Sequence, residues 1–270
     1  MSRKKVSGEI QIYSKKARTQ IVEIGKNIFS QSGLDRYFND VVACVDELIK
    51  NAVKANYKFV LISNKIFENV VDENPGISES EAWEKVYEII RNKEEYDRLS
   101  ANIAETEKIS NQVREILNQE SIHLRLKNKI FDQKRAYTPE EIEKISGLTD
   151  LQKIRKELNG KDIKIIVKFE TDDQFIFIEV TNTAPIMAKD LNRIYDKRDE
   201  FKIYRDDHRE QDFFIKNLDT SDSGFGLGYA TIDSFLCNMG LDPYKTIQLL
   251  AASDTTVILS FPVEEMRSRV

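Results

Sequence analysis

The chain has 270 residues, with 41 basic and 46 acidic side chains that give a formal charge of -5. Apolar residues make up 40% and charged residues 32%, while glycine and proline are scarce at 10 and 5. This balance is typical of a globular, largely helical protein and excludes collagen-like and low-complexity chains. Because charges of both signs are mixed along the chain, no basic stretch is available for duplex nucleic acid, and we expect no nucleic-acid partner.

The first segment, residues 1–35, is predicted to be helical or extended. Its basic start is followed by polar residues rather than by an apolar signal segment. No window of the chain approaches the roughly 18 consecutive apolar residues of a membrane-spanning helix. Two cysteines, Cys44 and Cys237, are too few for a disulfide framework or a metal cluster. We therefore expect a cytoplasmic protein with reduced thiols and no membrane span.

The next segment is predicted to be a long amphipathic helix from Asp35 to about Ile62. Its apolar residues recur at spacings of three and four, which is the period of one helix face. These residues are Val41, Val45, Leu48, Ile49, Ala52 and Val53. Within residues 57–62 the apolar run fits a helix and a strand equally well.

The charge-rich stretch from Glu68 to about Asn159 is predicted to be helical. Ser78 with Glu81, and Thr138 with Glu141, have the spacing of capping boxes that begin helices. Nothing in this stretch is chemically reactive by pattern. We interpret it as a helical insertion or dimerisation element.

The last third of the chain alternates strand-like and helix-like segments. Two β-branched and aromatic runs joined by a polar turn predict a β-hairpin, a glycine-rich turn then opens a helix that ends near Gly240, and two more strands close the chain. The four predicted strands are Ile163–Phe169, Phe175–Val180, Thr246–Ala251 and Thr255–Phe261. This order predicts an α+β sandwich, with helices on one face of a mixed sheet.

A first polar motif lies on the long helix. Glu47, Asn51 and Lys54 fall at i, i+4 and i+7, so they share one face while the neighbouring apolar residues pack on the other. An asparagine carbonyl is a good ligand for Mg²⁺, which takes its other ligands from water and phosphates. A carboxylate one turn away could activate an attacking water. Taken alone, the motif also fits an ordinary solvated helix face.

A second motif is the turn with Gly224, Gly226 and Gly228 ahead of a helix. Glycines let backbone amides approach a phosphate, and the helix N-terminus adds oriented N–H donors. No Gly-Lys-Ser or Gly-Lys-Thr follows, which excludes a P-loop, and the turn does not directly follow a strand, which argues against a dinucleotide-binding fingerprint. Taken alone, it also fits a tight loop.

A third motif follows the second predicted strand. Asn182 ends that strand, and its side chain could hydrogen-bond the edge of a purine, while Ala184 leaves room for the ring. Taken alone, this motif also fits an ordinary asparagine turn at the end of a strand.

Together, the three motifs resemble a known family. Glu47–Ala55 resembles the N box, Val180–Ile186 the first glycine box and Gly224–Gly228 the second glycine box of the histidine-kinase-like (Bergerat-fold) ATPases. That superfamily includes sensor histidine kinases, anti-sigma-factor kinases and the ATPase domains of type II topoisomerases. The closing segment Thr255–Pro262 is similar to the last strand of the family.

The resemblance implies a Bergerat-type α/β sandwich with a long helical insertion. The ATP-binding domain would comprise residues 36–65 and 160–263. The insertion of residues 66–159 would engage a protein partner, and residues 264–270 would form a tail. Pairing with a second copy of the chain is an open alternative.

The resemblance also implies roles for individual residues. Asn51 would coordinate Mg²⁺, Lys54 would approach the phosphates of ATP, and Glu47 would stand in the place of the general base. Asn182 stands where the family has an adenine-reading aspartate, so the adenine hydrogen bond would lose charge assistance. Ala184 replaces a glycine. The other residues implied to line the nucleotide are Ile186, Gly224, Gly226, Leu227, Gly228 and Thr255.

The polar stretch Lys197–Ser223 would be a mobile lid over ATP. Its length and polarity predict that it contributes nothing to a core. Its basic residues would be candidate phosphate contacts: Lys202, Arg205, Arg209 and Lys216.

Three functional classes stay open. The chain could be a signalling kinase that phosphorylates a separate protein, since neither His123 nor His208 matches the phosphoacceptor motif of sensor kinases. It could be a hydrolytic ATP switch or chaperone-like ATPase with Glu47 as base. It could also be a nucleotide-binding module that has lost turnover with the glycines of its first box.

Overall fold

The structure, a computed structural model, describes residues 4–218 and 227–269. The chain divides into two units, one formed by Met1–Val53 with Lys164–Val270 and the other by Lys54–Ile163. Sheet and helices both contribute, so the predicted α+β class is confirmed. The border at Lys54 falls inside a continuous helix, which hydrophobic periodicity alone cannot divide.

The first unit contains a five-stranded sheet. Its strands are β1 (Lys4–Ile10), β2 (Ile165–Thr171), β3 (Phe175–Asn182), β4 (Ile247–Ala251) and β5 (Thr255–Pro262), in the spatial order β1-β2-β3-β5-β4. The sequence places the last four strands to within two residues, whereas β1, a short terminal strand, was predicted only as part of a helical or extended segment.

All four pairings between the described strands are antiparallel, so the prediction of a mixed sheet is wrong. A long helical connection brings β4 back in the direction of β3, which would allow a parallel pair. However, β5 folds back between them and pairs with both. The parallel strands therefore never become neighbours.

One face of the sheet is buried. Alternate residues of β2, β3 and β5 point to this face, as the two-residue period of a strand requires. The face is covered by α1 (Lys15–Gln31) and by α2 (Phe38–Glu73). The ring of Phe29 on α1 lies 5.6 Å from that of Phe261 on β5 and 6.1 Å from that of Phe38 on α2. Aromatic packing thus joins both helices to the sheet.

The helix α2 continues for 36 residues and includes the run that fits either helix or strand. Tyr57, Val60 and Ile66 in this part of the helix are buried. Burial of that apolar stripe outweighs the strand preference of the β-branched residues around it.

The second unit is helical. After the shared helix it contains α3 (Glu79–Arg91), α4 (Lys93–Thr106), α5 (Ile109–Gln133), α6 (Pro139–Ser146) and α7 (Thr149–Gly160). Both predicted capping boxes are confirmed, at Ser78 with Glu81 and at Thr138 with Glu141. None of the described helices is both long and apolar enough to cross a membrane.

A buried polar cluster lies inside the second unit. Tyr57 Oη donates to Glu120 Oε1 at 2.7 Å, and Arg155 Nη2 lies 3.4 Å from the same oxygen. Burial, together with the Glu120 carboxylate, raises the pKa of Tyr57. Tyr57 therefore acts as a hydrogen-bond donor that links α2 to α5.

The first unit continues after β3 with α8 (Ala188–Asp206) and α9 (Glu210–Leu218). The prediction that the polar stretch Lys197–Ser223 contributes nothing to a core is wrong over Lys197–Leu218, and residues 219–223 lie outside the described residues. Phe201 and Phe213 are fully buried, with ring centroids 5.2 Å apart. The polar composition reflects the solvent-facing sides of two helices that bury these two rings.

The basic residues predicted to contact phosphates in this stretch have other neighbours. Lys216 pairs with Glu200 at 2.8 Å, Arg205 with Asp206 at 2.7 Å and Arg209 with Asp207 at 3.2 Å. The ammonium of Lys202 lies 5.3 Å from the ring centre of Tyr244. These are local surface contacts on α8, α9 and the segment after α10 (Leu227–Asn238).

A buried ion pair connects α8 to α10. Arg198 Nε lies 2.9 Å from Asp233 Oδ2, and Arg198 Nη2 also donates to the carbonyl of Pro243 at 3.1 Å. Both side chains are almost fully buried. Desolvation raises the pKa of Asp233 even though Arg198 opposes that shift. The charges are therefore costly to bury and depend on each other.

We predict that Arg198→Ala lowers the free energy of unfolding by about 3–5 kcal/mol, because it leaves the Asp233 carboxylate buried without its counter-ion. The matched control is Arg209→Ala, whose pair with Asp207 is half exposed. That change is expected to cost less than about 1 kcal/mol. Urea denaturation measures both values, and equal losses would contradict the structural role of the buried pair.

Candidate functional site

The first part of the site lies on the middle of α2. Glu47 and Asn51 are separated by one turn and are half-buried, whereas Leu48, Ile49 and Ala52 between and beside them are buried. The helix thus presents one packed face and one polar face, as the spacing predicts. A solvated helix face would leave the two polar side chains without a structural neighbour.

That neighbour is Gly228, the second residue of α10. A Cβ atom added there would lie 2.5 Å from Glu47 Oε1, 2.6 Å from Asn51 Nδ2 and 3.2 Å from Asn51 Oδ1. Both polar side chains therefore occupy the space that any other residue would fill. The N-terminal turn of α10 and the polar face of α2, far apart in the chain, meet at this point.

A residue on α10 also acts electrostatically on α2. The buried thiol of Cys44 on α2 has its pKa raised, first by burial and then by the carboxylates of Asp40 and Asp233. The start of α10 lies beside Glu47 and Asn51, and the N-terminus of a helix carries N–H donors and a partial positive charge.

The rest of the glycine turn is described only in part. Leu227 is the first residue of α10 and packs against the aromatic cluster of Phe201 and Phe213. Gly224 and Gly226 lie outside the described residues. Of the predicted glycine turn, the structure therefore places Leu227 and Gly228.

The second part of the site is built around Ala184, two residues after β3. The Ala184 N–H donates to Asn182 Oδ1 at 3.2 Å, and Thr255 Oγ1 donates to the Ala184 carbonyl at 3.1 Å. Asn182 and Thr255 are directly opposite each other in the β3–β5 pairing. Asn182 and Ala184 are almost fully buried. The three predicted residues thus form one hydrogen-bonded corner at the end of the sheet.

The two remaining predicted residues lie on the same segments. Ile186 is half-buried between β3 and α8, and Lys54 is half-buried on α2, one turn after Asn51. The structure therefore brings the predicted residues together in two groups. These are the helix group of Glu47, Asn51 and Gly228, and the strand group of Asn182, Ala184 and Thr255.

Sequence reasoning missed the residues that orient the polar face of α2. Arg18 Nε lies 2.8 Å from Asp46 Oδ2, and Tyr13 Oη donates to the same carboxylate. Burial and then Asp46 raise the pKa of Tyr13, which keeps it a donor. Asp46 is thereby bound to α1, while the adjacent Glu47 faces Gly228. In the sequence, two neighbouring acids carry no signal that separates these roles.

The helix group suits a magnesium ion only when a phosphate is present. The Glu47 carboxylate and the Asn51 carbonyl are hard oxygen donors, and Mg²⁺ typically takes one or two protein ligands and completes its shell with water and phosphate oxygens. Within residues 4–218 and 227–269 there is no cluster of three or more acidic, histidine or cysteine side chains suited to a metal. The helix group therefore offers two oxygen ligands, fewer than a dedicated metal cage provides.

Comparison with protein-family models, curated proteins and solved structures found no match to this chain. The assignment of the site accordingly depends on its residues and their geometry.

We predict that Gly228→Ala gives no gain in stability, although alanine normally favours a helix over glycine by up to about 1 kcal/mol. The added methyl group displaces the Glu47 and Asn51 side chains. Gly160→Ala is the matched control, because Gly160 ends α7 and nothing lies within 4 Å of its added Cβ. Denaturant unfolding should show a gain for the control alone, and equal gains would argue against the close contact.

Proposed function

We propose that this chain binds a magnesium–nucleoside triphosphate and acts as a signalling kinase or ATPase on a separate partner protein. The observation that carries the proposal is the convergence of Glu47 and Asn51 on Gly228 at the start of α10. Triphosphate chains need cationic or N–H partners and a divalent metal, and the helix group offers both kinds of contact. ATP is the nucleotide that the family resemblance implies.

In this proposal each residue of the helix group has a distinct role. The N-terminal N–H groups of α10 bind phosphate oxygens, and the missing side chain of Gly228 leaves room for Glu47 and Asn51 beside them. The Asn51 carbonyl oxygen holds the metal, which neutralises phosphate charge when bound. Glu47 adds a negative charge next to the phosphates, and the metal offsets the resulting repulsion.

The position of Glu47 favours a hydrolytic switch as the second candidate function. Its carboxylate contacts the same helix turn as Asn51, so it could accept a proton from a water that attacks the terminal phosphate. In a kinase the same carboxylate would accept the proton of a partner's hydroxyl or orient its nucleophile. In the third candidate, a binding module without turnover, Glu47 would have no catalytic role.

The helical unit Lys54–Ile163 is the proposed contact region for the partner. It carries exposed apolar side chains toward the end of α5 and on α6, where Phe131 is 77% and Ile142 56% exposed. Large apolar side chains exposed together often mark interaction surfaces.

We predict that Asn51→Ala abolishes magnesium-dependent nucleotide binding and leaves the fold intact, because the change removes the carbonyl ligand and no buried apolar contact. Titration calorimetry with and without Mg²⁺ measures the effect on the full chain. Asn27→Ala, an exposed position on α1, is the control and should bind like the parent protein. Unchanged affinity of the Asn51 variant would remove the metal assignment.

A further experiment separates the three candidate functions. The parent chain and the Glu47→Gln variant are each incubated with γ-labelled nucleotide and cell extract. Label on another protein supports the kinase, and free phosphate that disappears in the variant supports the hydrolytic switch. Bound nucleotide with neither product supports the binding module, whereas no bound nucleotide would contradict the proposal as a whole.

A further inference from the structure

The corner around Ala184 determines which hydrogen-bonding groups Asn182 and Thr255 can present to a ligand. The backbone N–H of Ala184 donates to Asn182 Oδ1 at 3.2 Å, and its carbonyl accepts the hydroxyl proton of Thr255 at 3.1 Å. An N–H group can only donate and a carbonyl can only accept. Ala184 thus determines which group of each side chain faces the backbone and which group is left to donate or accept.

For Asn182, the hydrogen bond from the Ala184 N–H fixes the position of the side-chain oxygen. Rotating the amide by half a turn would place Nδ2 against the Ala184 N–H, where two donors face each other. The Nδ2 group is therefore the end directed away from the turn, and it is a donor. An aspartate at this position would present a second acceptor oxygen there instead.

For Thr255, the hydrogen bond to the Ala184 carbonyl fixes the direction of the hydroxyl proton. Its hydroxyl hydrogen is directed to the Ala184 carbonyl, so a ligand meets the lone pairs of Oγ1, which accept. Because Asn182 and Thr255 are paired across β3 and β5, a donor and an acceptor lie side by side at the end of the sheet.

We infer that this corner selects a 6-oxopurine, guanine or hypoxanthine, over adenine. The inference rests on the proposed nucleotide site and specifies its base. The Watson–Crick edge of a 6-oxopurine offers an acceptor at O6 and a donor at N1, which match Asn182 Nδ2 and Thr255 Oγ1. Adenine offers the opposite pattern, a donor at N6 and an acceptor at N1, and would place like groups together at both positions.

Calorimetric titration of the full chain with the magnesium complexes of ITP, GTP and ATP tests the inference. ITP is the key probe, because it differs from ATP only at positions 1 and 6 of the base. We expect ITP and GTP to bind about tenfold or more tightly than ATP, the effect of roughly one exchanged hydrogen bond. In Asn182→Asp, whose outer oxygen accepts, each base would have one matched and one mismatched group, so the preference for ITP over ATP should be lost.

Thr255→Val provides a second variant that does not depend on the folding of the first. It removes the acceptor with little change of shape, so it should weaken ITP binding more than ATP binding, and Thr255→Ser should restore the parent ratio. Asn51→Ala should abolish magnesium-dependent binding of all three nucleotides alike, because it acts at the phosphates.

The outcomes separate this inference from the proposed function. The base assignment would be overturned if ATP bound the parent chain as tightly as ITP, or if the ratio of ITP to ATP affinity were unchanged in both Asn182→Asp and Thr255→Val. Neither result would contradict the proposed triphosphate site. Failure of all three nucleotides to bind would overturn both.

Discussion

The close approach of α2 and α10 at Gly228 is the constraint on which the candidate site depends. Two polar side chains, Glu47 and Asn51, fill the volume that a Cβ atom would occupy. Without that contact, the polar face of α2 would be an ordinary surface and the glycine an ordinary helix residue. Elsewhere on α10, the buried Arg198–Asp233 ion pair holds this helix to α8. This buried ion pair thus helps to fix the helix that carries Gly228.

Local signals in the sequence were sufficient for much of the fold. The capping residues Ser78 and Thr138, and the β-branched runs of β2 to β5, determine their elements through interactions within a few residues. The same kind of reasoning found the spacing of Glu47 and Asn51, because the period of a helix is fixed. Their convergence with Gly228 could be predicted only through the resemblance, since spacing along one helix says nothing about what faces it.

Features that depend on contacts between distant segments could not be predicted. The strand β1 is recognisable only through its pairing with β2, and the insertion of β5 between β3 and β4 is decided by the whole sheet. The helices α8 and α9 were misjudged because half of their residues are charged, and the two buried rings of Phe201 and Phe213 that stabilise them are a small part of the composition. The average polarity of a segment does not predict its structure where a few buried side chains stabilise it.

The two groups of the site are held by different physical means. Register between β3 and β5 fixes Asn182 opposite Thr255, and backbone hydrogen bonds to Ala184 then set the direction of each polar group. Helix packing, in contrast, sets Glu47 and Asn51 against Gly228. A sheet ladder resists local change, whereas packed helices can shift by small amounts. Because each group is held by its own contacts, the base recognition proposed for the strand group and the phosphate chemistry proposed for the helix group depend on different residues.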